Sequence, residues 1–419
     1  MYRKLHKILR GPIALGAIQT SGVMGVRLLI QAGTLILLSR LLGPHQFGFF
    51  SGLASLALLL GTIATFGLHI TLLRDISRNP EARDTVLPKI LGTTLLCGSI
   101  LFVIYILMCN ALYRLTEYQW AAVLCIGLAE NLVQPFLLLS VTEKQADGRV
   151  AKSQIYALLP LIARLTSIII IYLSHSTNVL LMYSILYLLS ASVALIYSLK
   201  MAKEKWPSLS NWRILKRKEI SDPARYAVLG LTNRAPTELD KVLATQLLSA
   251  NAAGLYAAAS RVLGAIITPI TALIHSSIPN LFRLTHRKKV KTAHSLIFIT
   301  SLIYGSLAGA LLYFSEPLIL SLFGDKYSEI STYLHCLSLA TPALALRLSG
   351  CNILMTENQP ILRAIIEVSG LLVLFIASAS LGKTLNTLSL PIAYTLSEYW
   401  TGTLCWLFLY RKSKTLTLK

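Results

Sequence analysis

The sequence predicts an all-α integral membrane protein, with about twelve transmembrane helices arranged as two six-helix lobes around a central cavity. Three observations point there. The 419-residue chain is 54% hydrophobic and only 14% charged, whereas a soluble domain is about 25% charged. Apolar runs long enough to cross a bilayer recur along its whole length. Lys and Arg gather almost entirely in alternate loops between those runs.

A helical crossing needs about 20 mainly apolar residues. Segments that meet this are 13–39, 47–70, 86–108, 120–142, 153–173, 179–199, 226–247, 254–278, 294–315, 331–354, 364–381 and 389–410. Helices are required because lipid offers no partner to an unpaired backbone amide. The weakest segment is 226–247, which carries Arg234, Glu238, Asp240 and Lys241. The basic start, Met1-Tyr2-Arg3-Lys4, imitates a signal peptide. The apolar run behind it, Ile13 to about Leu42, exceeds a signal core of roughly 7–15 residues, so it reads as an uncleaved first span.

The basic residues set the orientation. Of 39 Lys and Arg, 29 lie on the side shared by both termini and every second loop (Lys89, at the start of 86–108, counted with its loop), 4 on the opposite side, and six within spans. By the positive-inside rule the first side is cytoplasmic. The net charge of +21 is therefore a matter of topology, and a nucleic-acid partner is not expected. The six cysteines are scattered, most of them in apolar runs, so neither a disulfide framework nor a metal site is expected. No cofactor is expected either. Gly382-Lys383-Thr384 lacks the glycine that a phosphate loop needs five residues earlier, where Ala377 stands, so nothing suggests nucleotide hydrolysis.

The longest polar stretch, 200–225, divides an N-terminal lobe (1–199) from a C-terminal lobe (226–419). An ungapped shift of 206 residues lays 41–69 on 247–275, with identities at Leu41/Leu247, Leu42/Leu248, Gly48/Gly254, Thr62/Thr268, Thr65/Thr271 and His69/His275. Six spans per half make such a repeat parallel, about an axis along the membrane normal. Two facing lobes of this kind suit alternating access.

Ionisable groups inside spans cost about 3 kcal/mol or more and need a reason. Thr20, Arg27, Gln31 and Thr34 share one face of span 1. Arg234, Glu238, Lys241 and Thr245 share one face of span 7. On one reading Arg27, Arg234 and Lys241, with Arg164 and Arg261, line a hydrated cavity and hold an anionic headgroup, since guanidinium meets phosphate bidentately and stays charged. On the other they form structural pairs, as Arg234 and Glu238 at i and i+4 would; Arg347 stands under the same choice. The intramembrane acids Glu130, Glu238, Asp240 and Glu367, and Glu398 by type, could couple transport to a proton or sodium gradient, or could neutralise arginines. Pro236, beside Arg234, could shape a site by freeing a carbonyl.

Three segments in register resemble one family. Ser39-Arg40-Leu41-Leu42-Gly43-Pro44-His45-Gln46-Phe47-Gly48 resembles the R-x-L-G-P-x-x-F-G signature of polysaccharide flippases of the O-antigen transporter (Wzx) type. Asp240-Lys241 with Gly254-Leu255-Tyr256-Ala257 resembles the start of that family's second half. Glu316-Pro317 with Phe323-Gly324-Asp325-Lys326-Tyr327 is similar to its loop after span 9. The wider superfamily includes multidrug antiporters of the MATE type. The resemblance implies a non-enzymatic carrier in the bacterial inner membrane. It would move an undecaprenyl-pyrophosphate-linked oligosaccharide, an O-antigen repeat unit, to the periplasmic leaflet through a cationic cavity, with the polysaccharide polymerase and chain-length machinery as partners. Two alternatives stand beside it. A cation or drug antiporter of the same fold would favour acidic cavity residues. A polymerase or ligase would want a large outward loop, and the longest expected here, 316–330, has only about 15 residues.

Overall fold

The computed structural model describes residues 12–148, 150–174, 178–202, 204–283 and 287–415. The basic N-terminal stretch before Pro12, Arg149, Lys203, His286 and the last four residues lie outside the described residues, as do the side chains of Thr20, His275 and Lys383.

The described residues are helical almost throughout. The helices are α1 (Pro12–Ala64), α2 (Leu68–Arg78), α3 (Arg83–Leu112), α4 (Glu117–Leu128), α5 (Gln134–Ala146), α6 (Val150–Ser174), α7 (Val179–Lys200), α8 (Ser221–Leu247), α9 (Ala250–Arg283), α10 (Arg287–Phe314), α11 (Glu316–Phe323), α12 (Ile330–Thr356), α13 (Pro360–Leu385) and α14 (Ser389–Thr415). Among the described residues nine helical stretches are long and apolar enough to cross a membrane. The first includes α1, whose 53 residues would reach roughly 80 Å at about 1.5 Å per residue, far more than a bilayer of about 30 Å. It breaks at Gly43, where φ is 68° and Pro44 follows, and its two arms are the expected first and second spans. Long but more polar α8 and α14 complete about twelve crossings in a multi-pass membrane protein.

The chain divides into two compact units, one of residues 1–41 and 53–231, the other of 42–52 and 232–419.

In the first unit α6 packs on α7, α4 on α7, and α2 on α5. The expected second span stops early. Phe66 and Gly67 take positive φ, and α2 begins as a separate amphipathic helix, burying Leu68, Thr71, Leu72 and Ile76. That face joins Leu87, Ile90, Leu91 and Leu139 in one apolar cluster.

The polar stretch after α7 is an ordered strap laid over this cluster. Trp206 and Trp212 flank Phe136, with ring centroids 6.2 and 5.6 Å away. The Arg213 amide donates to the Pro88 carbonyl at 3.1 Å, and the Leu215 amide donates to Thr93 Oγ1 at 2.9 Å. Arg83 is paired with Glu143 at 2.7 Å, Lys89 with Glu219 at 2.6 Å, and Arg74 with Asp222 at 2.6 Å. Composition marks this stretch as a basic linker; its two tryptophans fasten it.

In the second unit α12 is the central helix, packed against α9, α10 and α14, while α13 lies along α14. Sixteen of its residues are buried, as befits a helix surrounded by protein rather than lipid. The corner 42–52 folds into this unit through a backbone crossing. A Cβ on Gly254 would collide with the Pro44 carbonyl oxygen, and one on Gly48 would sit 2.6 Å from the Gly254 nitrogen. The two glycines equated by the sequence repeat thus lie against each other, and small residues are what such close helix approach requires. The expected outward loop 316–330 is largely structured: α11 is followed by a tight turn at Gly324, φ 86°.

The glycine crossing can be tested by stability. Gly254→Ala should lower the thermal midpoint in detergent, at a cost of about 1–3 kcal/mol for overpacking. Gly264→Ala, where an added Cβ meets nothing within 4 Å, should not; equal midpoints would contradict the crossing. The strap should respond to acid through Glu219. A hydrogen bond from Lys89, with a further one from the Lys216 amide, holds its carboxyl below the ordinary 4.5. Its contribution is therefore complete above that value and disappears as pH falls through the lowered one. With Trp120, Trp400 and Trp406 replaced by Phe, the emission of Trp206 and Trp212 should shift in that acidic range and not above it.

Candidate functional site

The ionisable side chains of the spans fall into buried clusters and a few exposed cations. In the first unit, α4 passes into α5 through one wide helical turn, Ala129–Val133. Such a turn re-aims the residues it contains and often marks a functional position. It carries Glu130, 6% exposed. Arg164 Nη2 on α6 donates to Glu130 Oε1 at 3.2 Å, and the Tyr187 hydroxyl on α7 donates to the same oxygen. The Arg164 guanidinium lies 3.5 Å from the Tyr187 ring centroid. Its Nε and the Asn131 Oδ1 are buried without a hydrogen-bond partner.

In the second unit, Asp240 on α8 is fully buried. Its Oδ2 accepts from the Tyr256 hydroxyl at 2.9 Å and from Ser260 Oγ at 3.1 Å. Its Oδ1 accepts from Lys241 Nζ at 3.2 Å, and the same ammonium donates to the Thr237 carbonyl. Glu238 lies 4.0 Å from Lys241 and 3.9 Å from Arg234. Arg261 is next to Ser260 on α9, and its Nε is buried with no hydrogen-bond partner. Two further pairs are buried: Arg347 with Glu398 at 2.6 Å, and Arg363 with Glu367 at 3.3 Å. Arg363 also donates to Asn233 Oδ1 at 2.9 Å.

The polar stripes expected from spacing meet different surroundings. Arg27 and Gln31 share an exposed face of α1, while Thr34 hydrogen-bonds back to the Ile30 carbonyl. The stripe on α8 does not stay on one kind of surface. The Arg234 side chain is 48% exposed, that of Glu238 14%, and that of Lys241 only 6%. The neutralising reading thus describes the surroundings of Arg164, Lys241, Arg347, Glu130, Asp240 and Glu367; Arg27 and Arg234 are exposed, the latter with Glu238 at 3.9 Å. Sequence reasoning missed Tyr187, Ser260 and Asn233, and met Tyr256 only as part of a family motif, with no role. An isolated hydroxyl or amide in an apolar run carries no signal of the carboxylate or guanidinium it meets from another helix. Arg363 falls in an expected loop, although its i, i+4 spacing to Glu367 is a helical signal.

The family model for polysaccharide biosynthesis proteins matches residues 13–285, well over half of the chain. No curated protein matches the sequence. Among solved structures, an inward-facing multidrug resistance MATE family transporter of the MOP superfamily superposes with a TM-score of 0.76 at 14% identity, covering 96% of this chain and 99% of that one. The MATE multidrug transporter DinF-BH gives 0.69 at 16% identity, with 98% of each chain covered. A MOP superfamily transporter from Pyrococcus furiosus, described as having a binding pocket of reversed polarity, gives 0.64 at 15% identity, again covering 98% of each.

Breaking a buried pair by removing one partner strands a charge in low dielectric, at about 3–5 kcal/mol, whereas replacing both with apolar residues can be neutral. Glu398→Ala should therefore markedly depress the thermal midpoint, and Arg347→Met with Glu398→Leu should restore most of it. A double variant as unstable as the single one would show that the pair is not self-neutralising. By family match this chain belongs to the polysaccharide biosynthesis protein family, and it shares the fold of the MATE transporters on which it superposes.

Proposed function

We propose that the protein is a flippase that carries a lipid-linked oligosaccharide, of the undecaprenyl-pyrophosphate class, across a bacterial inner membrane by alternating access. Both termini would be cytoplasmic and transport would run toward the periplasmic leaflet. The observation that carries this reading is the sign of the accessible charge. The span acids Glu130, Asp240, Glu367 and Glu398 are buried beside cations, and Glu238 is mostly covered. Arg27 and Arg234 are exposed. A guanidinium facing hydrocarbon costs several kcal/mol or more, so exposed arginines at these depths fit a hydrated path. Such a path attracts a pyrophosphate rather than a cationic drug. Membership of a polysaccharide biosynthesis family supports the same cargo class.

In this mechanism the polyprenyl tail stays in lipid while the headgroup takes the protein route. Arg27 and Arg234 supply charge-assisted hydrogen bonds, each worth about 1.5–3 kcal/mol, in exchange for lost hydration. Arg261, with its unsatisfied Nε, is a third donor that a headgroup could complete. No covalent step is needed. Glu130 and Asp240 are the coupling candidates we favour. Each is a buried carboxylate shared between a base and a tyrosine, so protonation would release that base and loosen the surrounding helices. Arg164 and Lys241 then act as their counter-ions rather than as primary phosphate ligands. Glu238 and Glu367 are the alternative coupling positions.

Substituting Arg27 and Arg234 together with Ala should reduce translocation of lipid-linked repeat units by roughly tenfold or more, with the protein still inserted. The double Lys variant should retain more activity. Deleting the gene should strand single repeat units on the cytoplasmic leaflet, which mass analysis would identify. Repeat units that reach the periplasm unpolymerised would indicate a polymerase, and an unchanged polysaccharide profile would indicate drug or ion export.

A further inference from the structure

The strap that follows α7 forms a second feature, built from residues other than the arginines of the proposed carrier path. Between the strap and the first turns of α3 lies a groove of about 630 Å³, lined by Arg83, Asp84, Lys89, Lys205, Pro207 and Arg213 among others. The acids around it are already engaged. Glu143, Glu204 and Asp84 all lie on Arg83, at 2.7, 3.0 and 3.3 Å, and Glu219 lies on Lys89 at 2.6 Å. Lys205 and Arg213 are exposed and make no ion pair among the described residues. Of the groove's own lining, Arg83, Lys89, Lys205 and Arg213 are basic and Asp84 alone is acidic. Glu143, Glu204 and Glu219 lie behind Arg83 and Lys89, so Lys205 and Arg213 are the two lining cations that no acid reaches among the described residues.

The wall is fixed before any ligand arrives. The Arg213 backbone lies directly on α3, where a Cβ on Gly92 would collide with the Arg213 carbonyl oxygen. Lys205 precedes Trp206, whose indole donates to Glu143 Oε2 at 2.8 Å. With the backbone held, only the two side chains have to be ordered on binding. Position adds a further constraint. The strap leaves α7 at Lys200 and enters α8 at Ser221, so it runs along a membrane surface whichever leaflet that is. Beside its cations it exposes Leu209 and Ile214, 73% and 58% accessible. Apolar side chains interleaved with basic ones, on a segment lying at the interface, are the pattern that inserts among headgroups and selects anionic ones.

We propose that this groove binds the phosphate of an anionic phospholipid from the adjoining leaflet, with Lys205 and Arg213 as its ligands and Leu209 and Ile214 set among the acyl chains. The proposal shares no residue with the proposed substrate path and stands whether or not the protein is a flippase. By seating a lipid, the strap ties the first turns of α3 to the bilayer surface.

The test uses the full chain in nanodiscs of phosphatidylcholine with or without phosphatidylglycerol, and native mass spectrometry to count retained anionic lipid. Lys205→Gln with Arg213→Gln should weaken retention, roughly fivefold per cation removed. Arg217→Gln with Lys218→Gln, which alters strap charge outside the groove, should leave it nearly unchanged. Equal losses from both pairs would reduce the effect to general surface charge and overturn the proposal, as would unaltered retention in the groove variant. Soluble pyrophosphate is the third arm: protection of the groove by it in lipid-free detergent, matching that given by phosphatidylglycerol, would assign the site to a free phosphate compound instead. Strap order, read from the emission of Trp206 and Trp212, should be the same in both variants; its loss in the groove variant alone would mean that the cations hold the fold rather than a lipid.

Discussion

Charge carried into a bilayer has to be answered inside the protein, and this requirement organises the membrane region of the molecule. In the first unit, Glu130 is met by Arg164 from α6 and Tyr187 from α7. In the second, Asp240 is met by Lys241, Tyr256 and Ser260, and Glu398 by Arg347. Each cluster joins helices that have no hydrophobic reason to associate within lipid. Their geometry is demanding because a half-satisfied polar network is worse than an apolar core. Orphaned atoms such as Arg164 Nε and Arg347 Nη2 show where satisfaction stops short.

Exposure separates these clusters from two other cations of the spans. The buried acids of the spans sit beside cations, whereas Arg27 and Arg234 carry their charge at an exposed surface. The proposed phosphate path rests on the sign of accessible charge rather than on the number of charged residues. A protein with the same fold and the opposite sign of exposed charge would suit a different cargo, since fold and function are separable.

Close backbone contact does the remaining work. Gly48 and Gly254 bring the 42–52 corner against α9 without side chains between them, and van der Waals contact substitutes for a hydrophobic driving force. The strap obeys a different rule because water reaches it. There aromatic packing on Phe136 and the ion pair to α3 act together, as in a soluble protein.

Much of this was determined by sequence alone. Apolar run length fixes helices and their approximate number, because hydrocarbon leaves no other way to satisfy the backbone. The signature around Gly43-Pro44 marks the first helical break, and the repeat pairing Gly48 with Gly254 identifies two residues that prove to touch. The i, i+4 spacing of Arg234 and Glu238 is equally legible, since helix periodicity is local. Tertiary structure decided which charges are buried beside partners and which reach the surface. Tyr187 meets Glu130 across 57 residues, and Trp206 meets Glu143 across 63. No local pattern encodes such distances. Lys241 is buried and Arg234 exposed although spacing puts both on one face of α8. The difference depends on which neighbours each turn of that helix meets, and that is settled only when the helices pack.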